Sequence, residues 1–312
     1  MNLSRVMPTI KADLHYHGPI GFQPYWLKVQ GYEGKNLLKE IADACFRRNL
    51  GICAITSDED EIPKNSLHDR FNWLKENCLK TLPREYKFYS IGDNTALIEL
   101  YKKNKKLFLI NGQTVRTKEK GVTQTSGLTK RGFIDYLVVG SNQIPNHKPL
   151  EETVKRVYEA EFIGIAEHAL CEAHGGMGRE NLERLLPYMH AIEGHNSQLR
   201  FNWLRFLPKI GKEFAKYQRK LNREIQQFAK DYDKPWIANS DGHRIEDVGI
   251  SYNEFDAALL DDSSEEKFMR TFKDVIVTKK FTQHCDYQGF FSWFDWTLKL
   301  KFGYKKVTGE LQ

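Results

Sequence analysis

Hydrophobic and polar positions along the chain follow two repeating patterns that predict a succession of strands and helices. Residues 34–50 carry apolar side chains at helical spacing and stop at Gly51, and the short apolar run from Ile52 to Thr56 then has the character of a buried strand. Further strands are predicted in LFLING, IDYLVVGS, IGIAEHA, HAIEGHNS and PWIANSDGH. Helices are predicted over residues 66–80, 94–105, 148–162, 180–189 and 263–274, and in a long basic region after residue 197.

The alternation of strand and helix through most of the chain determines the predicted fold class. An order of strand, helix and strand favours parallel pairing, and no stretch rich in Pro, Gly or Ser divides the chain. Although 312 residues would suffice for two small domains, single α/β barrels also reach this length. The pattern therefore predicts one α/β domain, with a barrel as its simplest form.

Two pairs of residues suited to metal binding stand at the ends of predicted strands. His15 and His17 lie two positions apart in ADLHYHG, and Asp241 and His243 repeat that spacing in ANSDGHR. Side chains at i and i+2 of a strand point to the same face, so each pair could converge on one point. Two such pairs could close a metal site. The alternative is that the histidines lie at the surface and that SDGH is an ordinary turn.

Other polar residues follow the predicted strands in the same manner. In a barrel, the loops after the carboxyl ends of the strands form one mouth. Here these loops contain the SDED sequence, Gln113, residues 141–147, His168 and residues 193–196. Histidines with purely structural roles would be scattered along the elements, so this clustering favours a functional site.

Composition and charge exclude several classes of protein. Hydrophobic residues make up 40% of the chain and charged residues 28%, with a net charge of +6, which is ordinary for a globular protein. The five cysteines are scattered and form no C-x-x-C pair, which argues against a disulfide framework or a zinc knuckle. No apolar stretch has the length of a signal peptide or a membrane span. We therefore expect a cytoplasmic protein without a membrane partner.

Positive charge is concentrated in residues 197–224, which carry eight Lys or Arg against two Glu. The rest of the chain is close to neutral. Aromatic residues are interleaved with these charges, namely Phe201, Trp203, Phe206 and Tyr217. Such a segment could grip the phosphate backbone of a nucleic acid. The alternative is a solvated amphipathic helix whose aromatic side chains face the core.

Taken together, the strand-end motifs from about Asp13 to Phe255 resemble the PHP (polymerase and histidinol phosphatase) family, and similar sequence continues towards Lys280. The family opens with D-L-H-x-H and later carries A-H-P, E-x-x-N and S-D-A-H followed by V-G. The matching residues here are Asp13, Leu14, His15 and His17; Glu167 and His168; Glu193 and Asn196; and Ser240, Asp241, His243, Val248 and Gly249. The resemblance implies a distorted seven-stranded TIM-like (β/α)7 barrel with a metal cluster at its mouth.

Three positions depart from the family pattern. Gln113 stands where the family has a glutamate that bridges two metals, and Asp58 or Glu59 replaces the histidine of its T-D-H motif. The family's G-S-x-H becomes GSNQ at residues 140–143, with His147 four residues beyond. Carboxylates can replace imidazoles as ligands, but each neutral amide removes charge that would offset a further cation.

The resemblance implies a metal-dependent phosphoesterase that hydrolyses a small phosphomonoester or a nucleotide. It implies divalent Mn, Fe, Zn or Mg, with one ion expected and two or three possible. The implied metal ligands are His15, His17, His168, Asp241 and His243. Further ligands or supporting residues would be Asp13, Gln113, Glu193 and His174. Asp58 or His243 would handle the proton, Arg244 or Arg179 would clamp the phosphate, and Asn196 would contact the substrate. The two arginines could instead be surface charges, and His174 could belong to a simple glycine-rich bend.

A second hypothesis is a barrel that has lost catalysis and binds nucleic acid or a protein partner, supported by Gln113, the GSNQ sequence and the basic segment. In either case we expect a barrel over residues 1–284, with a basic helical insertion at about 197–224. Residues 285–312, which are aromatic and then basic, are expected to form an extension packed on the barrel.

Overall fold

The computed structural model describes residues 8–19, 24–58, 69–118, 133–160, 162–198 and 210–289; for residues 24–26, 58, 173 and 210–218 it describes the backbone alone. These residues form a mixed α/β fold around a nearly closed barrel-shaped sheet, which confirms the predicted fold class. The described strands are β1 Thr9–Tyr16, β2 Ile52–Asp58, β3 Tyr86–Ser90, β4 Thr95–Leu100, β5 Lys105–Thr117, β6 Ile134–Val139, β7 Ile163–Ala166, β8 Ala191–Asn196, β9 Trp236–Asn239, β10 Tyr252–Asp256 and β11 Thr282–His284. The described helices are α1 Pro24–Val29, α2 Leu37–Arg47, α3 Arg70–Cys78, α4 Leu150–Glu159, α5 Gly178–Leu185, α6 Ile210–Asp231 and α7 Glu265–Val277.

Seven strands form the barrel, in the order β1, β2, β5, β6, β7, β8 and β9. The ring closes between β9 and β1. There the Asp241 amide donates to the His15 carbonyl at 2.7 Å, and Tyr16 forms a parallel bridge with Gly242. Strands β10 and β11 extend the sheet from β1 in antiparallel pairing, and β3 and β4 add a hairpin beside β5. With β10 and β11 the path of the sheet takes in nine of the described strands, and its nearly closed form agrees with the distorted barrel that the family resemblance implies.

One barrel strand runs against the others. β1, β2 and β5 are parallel to one another, as are β7, β8 and β9, but β6 pairs antiparallel with both β5 and β7. The beginning of β6 therefore lies at the same end of the barrel as the carboxyl ends of its neighbours. This end is the mouth.

The barrel interior is filled by alternate residues of the strands, as period-two geometry requires. The inward apolar side chains are small or branched and include Ala12, Leu14, Ile52, Ala54, Ile110, Leu137, Val139, Ile165, Ala191 and Ile237. At the end opposite the mouth, Phe268 of α7 stacks on Phe108 of β5 with ring centroids 4.7 Å apart. Burying a large apolar side chain in this way contributes about 1.5–3 kcal/mol.

The helix predicted over residues 94–105 is wrong. Residues Thr95–Leu100 form β4, which pairs antiparallel with β3 and with β5. Ala96, Ile98 and Leu100 are buried at a spacing of two, and Asn104 turns the chain into β5 with a φ of 48°. The run TALIEL suits either period, and pairing with two neighbouring strands decided between them.

The basic segment is described in part. In α6, Leu221, Ile225, Phe228 and Ala229 pack on the core while Arg219, Lys220 and Arg223 are exposed, which is the amphipathic arrangement. Residues 199–209 and the side chains of 210–218, which include the four interleaved aromatic positions, lie outside the described residues. So do residues 290–312 of the expected extension, and the domain boundaries remain predictions. None of the described helices is long and apolar enough to cross a membrane.

Candidate metal centre

The mouth is built first by the ends of β1 and β9. The pairing register of β1 against β2 shifts between Asp13 and Tyr16, and such a bulge re-aims side chains. His15 and His17 consequently face the barrel interior, while Asp13 is turned away from them. Gly242 lets the loop after β9 approach closely, because a Cβ there would lie 2.8 Å from the Tyr16 ring.

The nitrogen atoms of the two histidines and the carboxylate of Asp241 converge on one point. His15 Nε2 lies 3.0 Å from His17 Nε2, and Asp241 Oδ1 lies 3.4 Å and 3.3 Å from those two atoms. Glu167 Oε1, from the end of β7, lies 3.3 Å from His15 Nε2. Burial alone would lower the pKa of His15, but the carboxylates of Asp241, Glu167 and Glu193 raise it well above its usual range. The group is a compact set of donors facing one another.

Glu193 supports this set from behind. Its Oε1 lies 2.8 Å from His15 Nδ1, which directs Nε2 of that ring towards the other donors. Its two oxygens also accept from the Asn239 and Asn196 amides and from the His168 backbone, each within 3.0 Å. Burial alone would raise the pKa of Glu193, but the neighbouring His15 ring holds it at about 2. Glu193 is therefore a fixed negative partner for His15.

Three groups of donors overlap at the mouth, and within each group the donor atoms lie within 4.8 Å of one another. The groups are His15, His17 and Glu167; His17, Asp241 and His243; and Asp135, Glu167 and His168. His17 and Glu167 are shared between groups, so ions held by them would be neighbours. Imidazole and carboxylate together suit Zn, Fe and Mn.

Two buried atoms of these groups support the presence of an ion. Glu167 Oε2 and His168 Nδ1 are buried, and neither has a hydrogen-bond partner among the residues that the structure describes. A buried polar atom without a partner is costly, and a cation would remove that cost. Burial alone would lower the pKa of His168, but Glu167 beside it raises the pKa to about 9. The residues present thus fit a divalent metal.

Asp135 and Glu167 were not predicted as ligands. Asp135 is the second residue of β6 and reaches the mouth only because this strand is antiparallel. We expected the site residue of this strand after its carboxyl end, at residues 141–143, whereas the beginning of the strand is the part that reaches the mouth. Glu167 was recognised in the motif but assigned no role.

Gln113 does not face the donors, which corrects the expectation that it stands at a bridging position. It pairs with Val138, whose side chain packs outside the barrel against the helices. Both ends of its amide bond the Ile144 backbone, at 3.0 and 3.1 Å. The inward residue next to Gln113 is Thr114, and its hydroxyl is buried without a partner among the described residues.

The two arginines proposed to bind phosphate are engaged elsewhere. Arg244 is buried and paired with Asp247 at 2.6 Å, so it is not a surface charge. Arg179 is exposed on α5 beside Glu183, at 3.3 Å. The structure brings neither into the described donor groups.

The remaining predicted residues lie at varied distances from the donors. His243 is half-buried, with its ring centroid 4.7 Å from that of His17, and Asn196 donates to Asp241 at 3.1 Å. The His174 ring lies 6.4 Å from the His168 ring and is outside the donor groups. Asp13 accepts from the Ser240 and Gly249 amides and so fixes the backbone behind the site. Asp58 ends β2, and its side chain and Glu59 lie outside the described residues.

Arg70, at the start of α3, is a further residue of the site that the sequence did not suggest. Its Nη1 donates to the carbonyls of His17 and Thr56, both at 2.9 Å. His17 Nδ1 lies 3.2 Å from the Thr56 carbonyl and 3.2 Å from Arg70 Nη1. In the tautomer that donates to the carbonyl, Nε2 carries the lone pair that a metal needs. Arg70 thus holds His17 and its partner in place.

Comparison with known proteins identifies one matching family model and a solved structure with a similar fold. A PHP-associated family model matches residues 219–274 of this chain. The crystal structure of PsfC from Pseudomonas syringae PB-5123 is similar with a TM-score of 0.54 at 12% sequence identity, covering 96% of this chain and 100% of that chain. At that identity the similarity concerns the fold alone. No curated protein matches the sequence.

Proposed function

We propose that this chain is a metal-dependent phosphoesterase of the PHP domain family, on the basis of the PHP-associated match at residues 219–274 and of the donors at the barrel mouth. Its substrate would be a small phosphomonoester or a nucleotide. The observation that carries the proposal is the overlap of three donor groups through His17 and Glu167, because neighbouring cations are suited to phosphate chemistry.

The residues that would hold the ions are His15, His17, Glu167, His168 and Asp241. Asp135 and His243 each belong to a different one of the three overlapping donor groups. Bound divalent ions would supply Lewis-acid chemistry, polarising a phosphoryl oxygen and lowering the pKa of a nearby water. The protein's own contribution is to fix the donors. Glu193 orients His15, and Arg70 together with Thr56 orients His17.

His243 is the candidate for proton transfer in this proposal. Its side chain is 32% exposed, against 14% for Asp241 and 5% for His17, so it alone of these three can readily exchange a proton with bulk water. His243 Nδ1 lies 2.9 Å from the Asp241 carbonyl, and donation to that oxygen leaves Nε2 either to bind an ion or, when no ion occupies it, to accept and deliver a proton. Asp58, at the end of β2, is the second candidate.

Hydrolysis of p-nitrophenyl phosphate and of a set of nucleotides by metal-stripped and Mn-reloaded protein tests the proposal. We expect hydrolysis that requires the metal and falls at least about a hundredfold in Asp241→Asn, because this carboxylate joins two histidines. Arg179→Gln, on the surface of α5, serves as the matched control and should retain full activity. A reloaded, folded protein that hydrolyses none of these esters would contradict the proposal.

The alternative function is a barrel that binds nucleic acid without catalysis. Two observations favour it: the inward-facing Thr114 of β5 supplies no carboxylate for a metal, and α6 exposes Arg219, Lys220 and Arg223. In that case single-stranded oligonucleotides should bind with an affinity that falls steeply with salt. Changing the three basic residues to Glu should abolish binding, whereas the same change at Lys102 and Lys103, exposed beyond β4, should not.

A further inference from the structure

Arg116 lies near the carboxyl end of β5 and faces the barrel mouth. It pairs in register with Asp135 of β6, and paired residues of neighbouring strands project to the same face. Asp135 belongs to a donor group with Glu167 and His168. Arg116 is therefore the inward neighbour of a candidate metal ligand, and it is 7% exposed.

The guanidinium of Arg116 is buried and incompletely bonded. Its Nε lies 4.0 Å from Asp135 Oδ1, which is close enough for charge attraction but too far for a hydrogen bond. Its Cζ lies 4.6 Å from the centroid of the Phe133 ring, which supports one face of the group. Nε is buried without a hydrogen-bond partner among the described residues. A buried charged donor left in this state costs free energy, and a bound anion would offset the cost.

We propose that Arg116 binds a non-bridging oxygen of the substrate phosphate beside the group formed by Asp135, Glu167 and His168. This inference rests on the proposed phosphoesterase function and assigns the phosphate-binding residue of its site. When a cation takes up the charge of Asp135, the guanidinium needs another anion. A tetrahedral oxyanion fits this need, because the planar fork of arginine matches two phosphate oxygens.

The position of Arg116 separates it from the other arginines near the mouth. Arg244 is neutralised by Asp247 at 2.6 Å, and Arg70 is held by two backbone carbonyls. Arg179 lies on the surface with Glu183. Arg116 combines burial, a neighbouring ligand carboxylate and an Nε without a hydrogen-bond partner in the described part of the chain.

A purely structural role makes a different prediction. If Arg116 only balances the charge of Asp135, its removal should change how much metal the protein holds, while each loaded molecule would bind phosphate as before. If Arg116 binds phosphate, its removal should weaken phosphate binding at unchanged metal content. Metal content and phosphate affinity therefore distinguish the two roles.

The test is calorimetric titration of Mn-loaded protein with inorganic phosphate, with metal content measured on the same samples. Arg116→Met should weaken phosphate binding about tenfold or more, the order expected for losing a charge-assisted hydrogen bond. Arg116→Lys should give an intermediate loss, because a point charge remains without the fork. Arg179→Met, the surface control, should bind phosphate as the wild type does.

Three results would overturn the inference: phosphate affinity within twofold of wild type in the Arg116 variants, a change in metal content alone, or no measurable phosphate binding by the loaded wild type. If Arg116→Met does not fold, Arg116→Lys decides by the same measurement. Arg116-dependent phosphate binding without hydrolysis of any ester would count against the proposed function only. Hydrolysis with phosphate affinity unaffected in the variants would count against this inference only.

Discussion

Thr114 stands on the inward face of β5, beside the mouth, where the protein supplies a hydroxyl instead of a carboxylate. We predict that Thr114→Glu raises the ratio of bound metal to protein, because a carboxylate here would face the donors. Gln113→Glu is the matched control and should leave the ratio unchanged, since that side chain bonds Ile144 outside the barrel. Elemental analysis of both variants decides. A rise in Gln113→Glu alone would contradict the assignment of faces.

His190 gives a prediction about stability and pH at a distance from the metal ligands. Burial, with Lys273 and Lys234 nearby, lowers its pKa to about 4, and its Nδ1 accepts from the Gly164 amide at 3.1 Å. A lowered folded-state pKa stabilises the protein above the unfolded value of about 6.5, and this stability is lost as pH falls through 4.

The free energy of unfolding should therefore fall by about 2–3 kcal/mol between pH 6.5 and pH 4 on account of His190. Denaturant unfolding at several pH values measures the change. His190→Asn keeps an acceptor without a titrating ring, so its curve should be flatter than that of the wild type over this interval. Parallel curves would show that His190 contributes no pH dependence.

Among the elements, α3 connects helix stability to the site. Asp69 caps this helix by accepting from the Asn72 amide at 2.8 Å, and the first helical residue is Arg70, which holds His17 and Thr56. Asp69→Ala should lower stability by about 1 kcal/mol, the usual cost of losing such a cap. It should also weaken metal binding, because the start of the helix then frays.

Ser264→Ala provides the control for this prediction. Ser264 caps α7 by accepting from Lys267, at the end of the barrel opposite the mouth. We expect a similar loss of stability with no change in metal affinity. Thermal unfolding together with metal titration separates the two effects. Equal metal affinities for both variants would show that α3 does not support His17.

The direction of β6 leads to a further prediction. Because this strand is antiparallel, Asp135 reaches the mouth, and Gln143 follows the other end of the strand, next to Ile144, whose backbone bonds Gln113 outside the barrel. Asp135→Ala should therefore reduce metal content, and Gln143→Ala should not. Metal analysis after dialysis against Mn is sufficient. The reverse result would mean that the donors gather at the other end of the strand.

The residue pairs at the ends of β1 and β9, and the direction of β6, show how much of the site could be predicted from the sequence. The sequence predicted that His15, His17, Asp241 and His243 would lie together, as they do in the structure, because i, i+2 spacing at a strand end fixes the face on which side chains lie. Asp135 was missed because pairing direction is set by distant neighbours, and an alternating pattern reads the same in both directions. Gln113 was predicted at the site in place of Thr114 for a related reason. A shift of one position along a strand moves the side chain to the other face of the sheet.

For the whole molecule, the barrel gathers its donors at one end. Strands β1, β7 and β9 contribute their carboxyl ends and β6 its beginning, and the adjoining loops carry the rest. A cavity of about 570 Å³ lies at the other end, lined by Ile10, Phe46, Lys105 and Phe108 among others. It contains none of the donor residues, so cavity size does not locate the candidate centre.

Elemental analysis of protein purified without chelators shows whether the mouth holds divalent metal. We predict that the wild type contains at least one Mn, Fe or Zn ion per chain as purified, or takes up at least one when these ions are added. The variant that combines His15→Asn with Asp241→Asn should bind none. Binding to the folded state should also raise the melting temperature by mass action. A folded wild type that contains no metal and takes up none of the three ions would contradict the account.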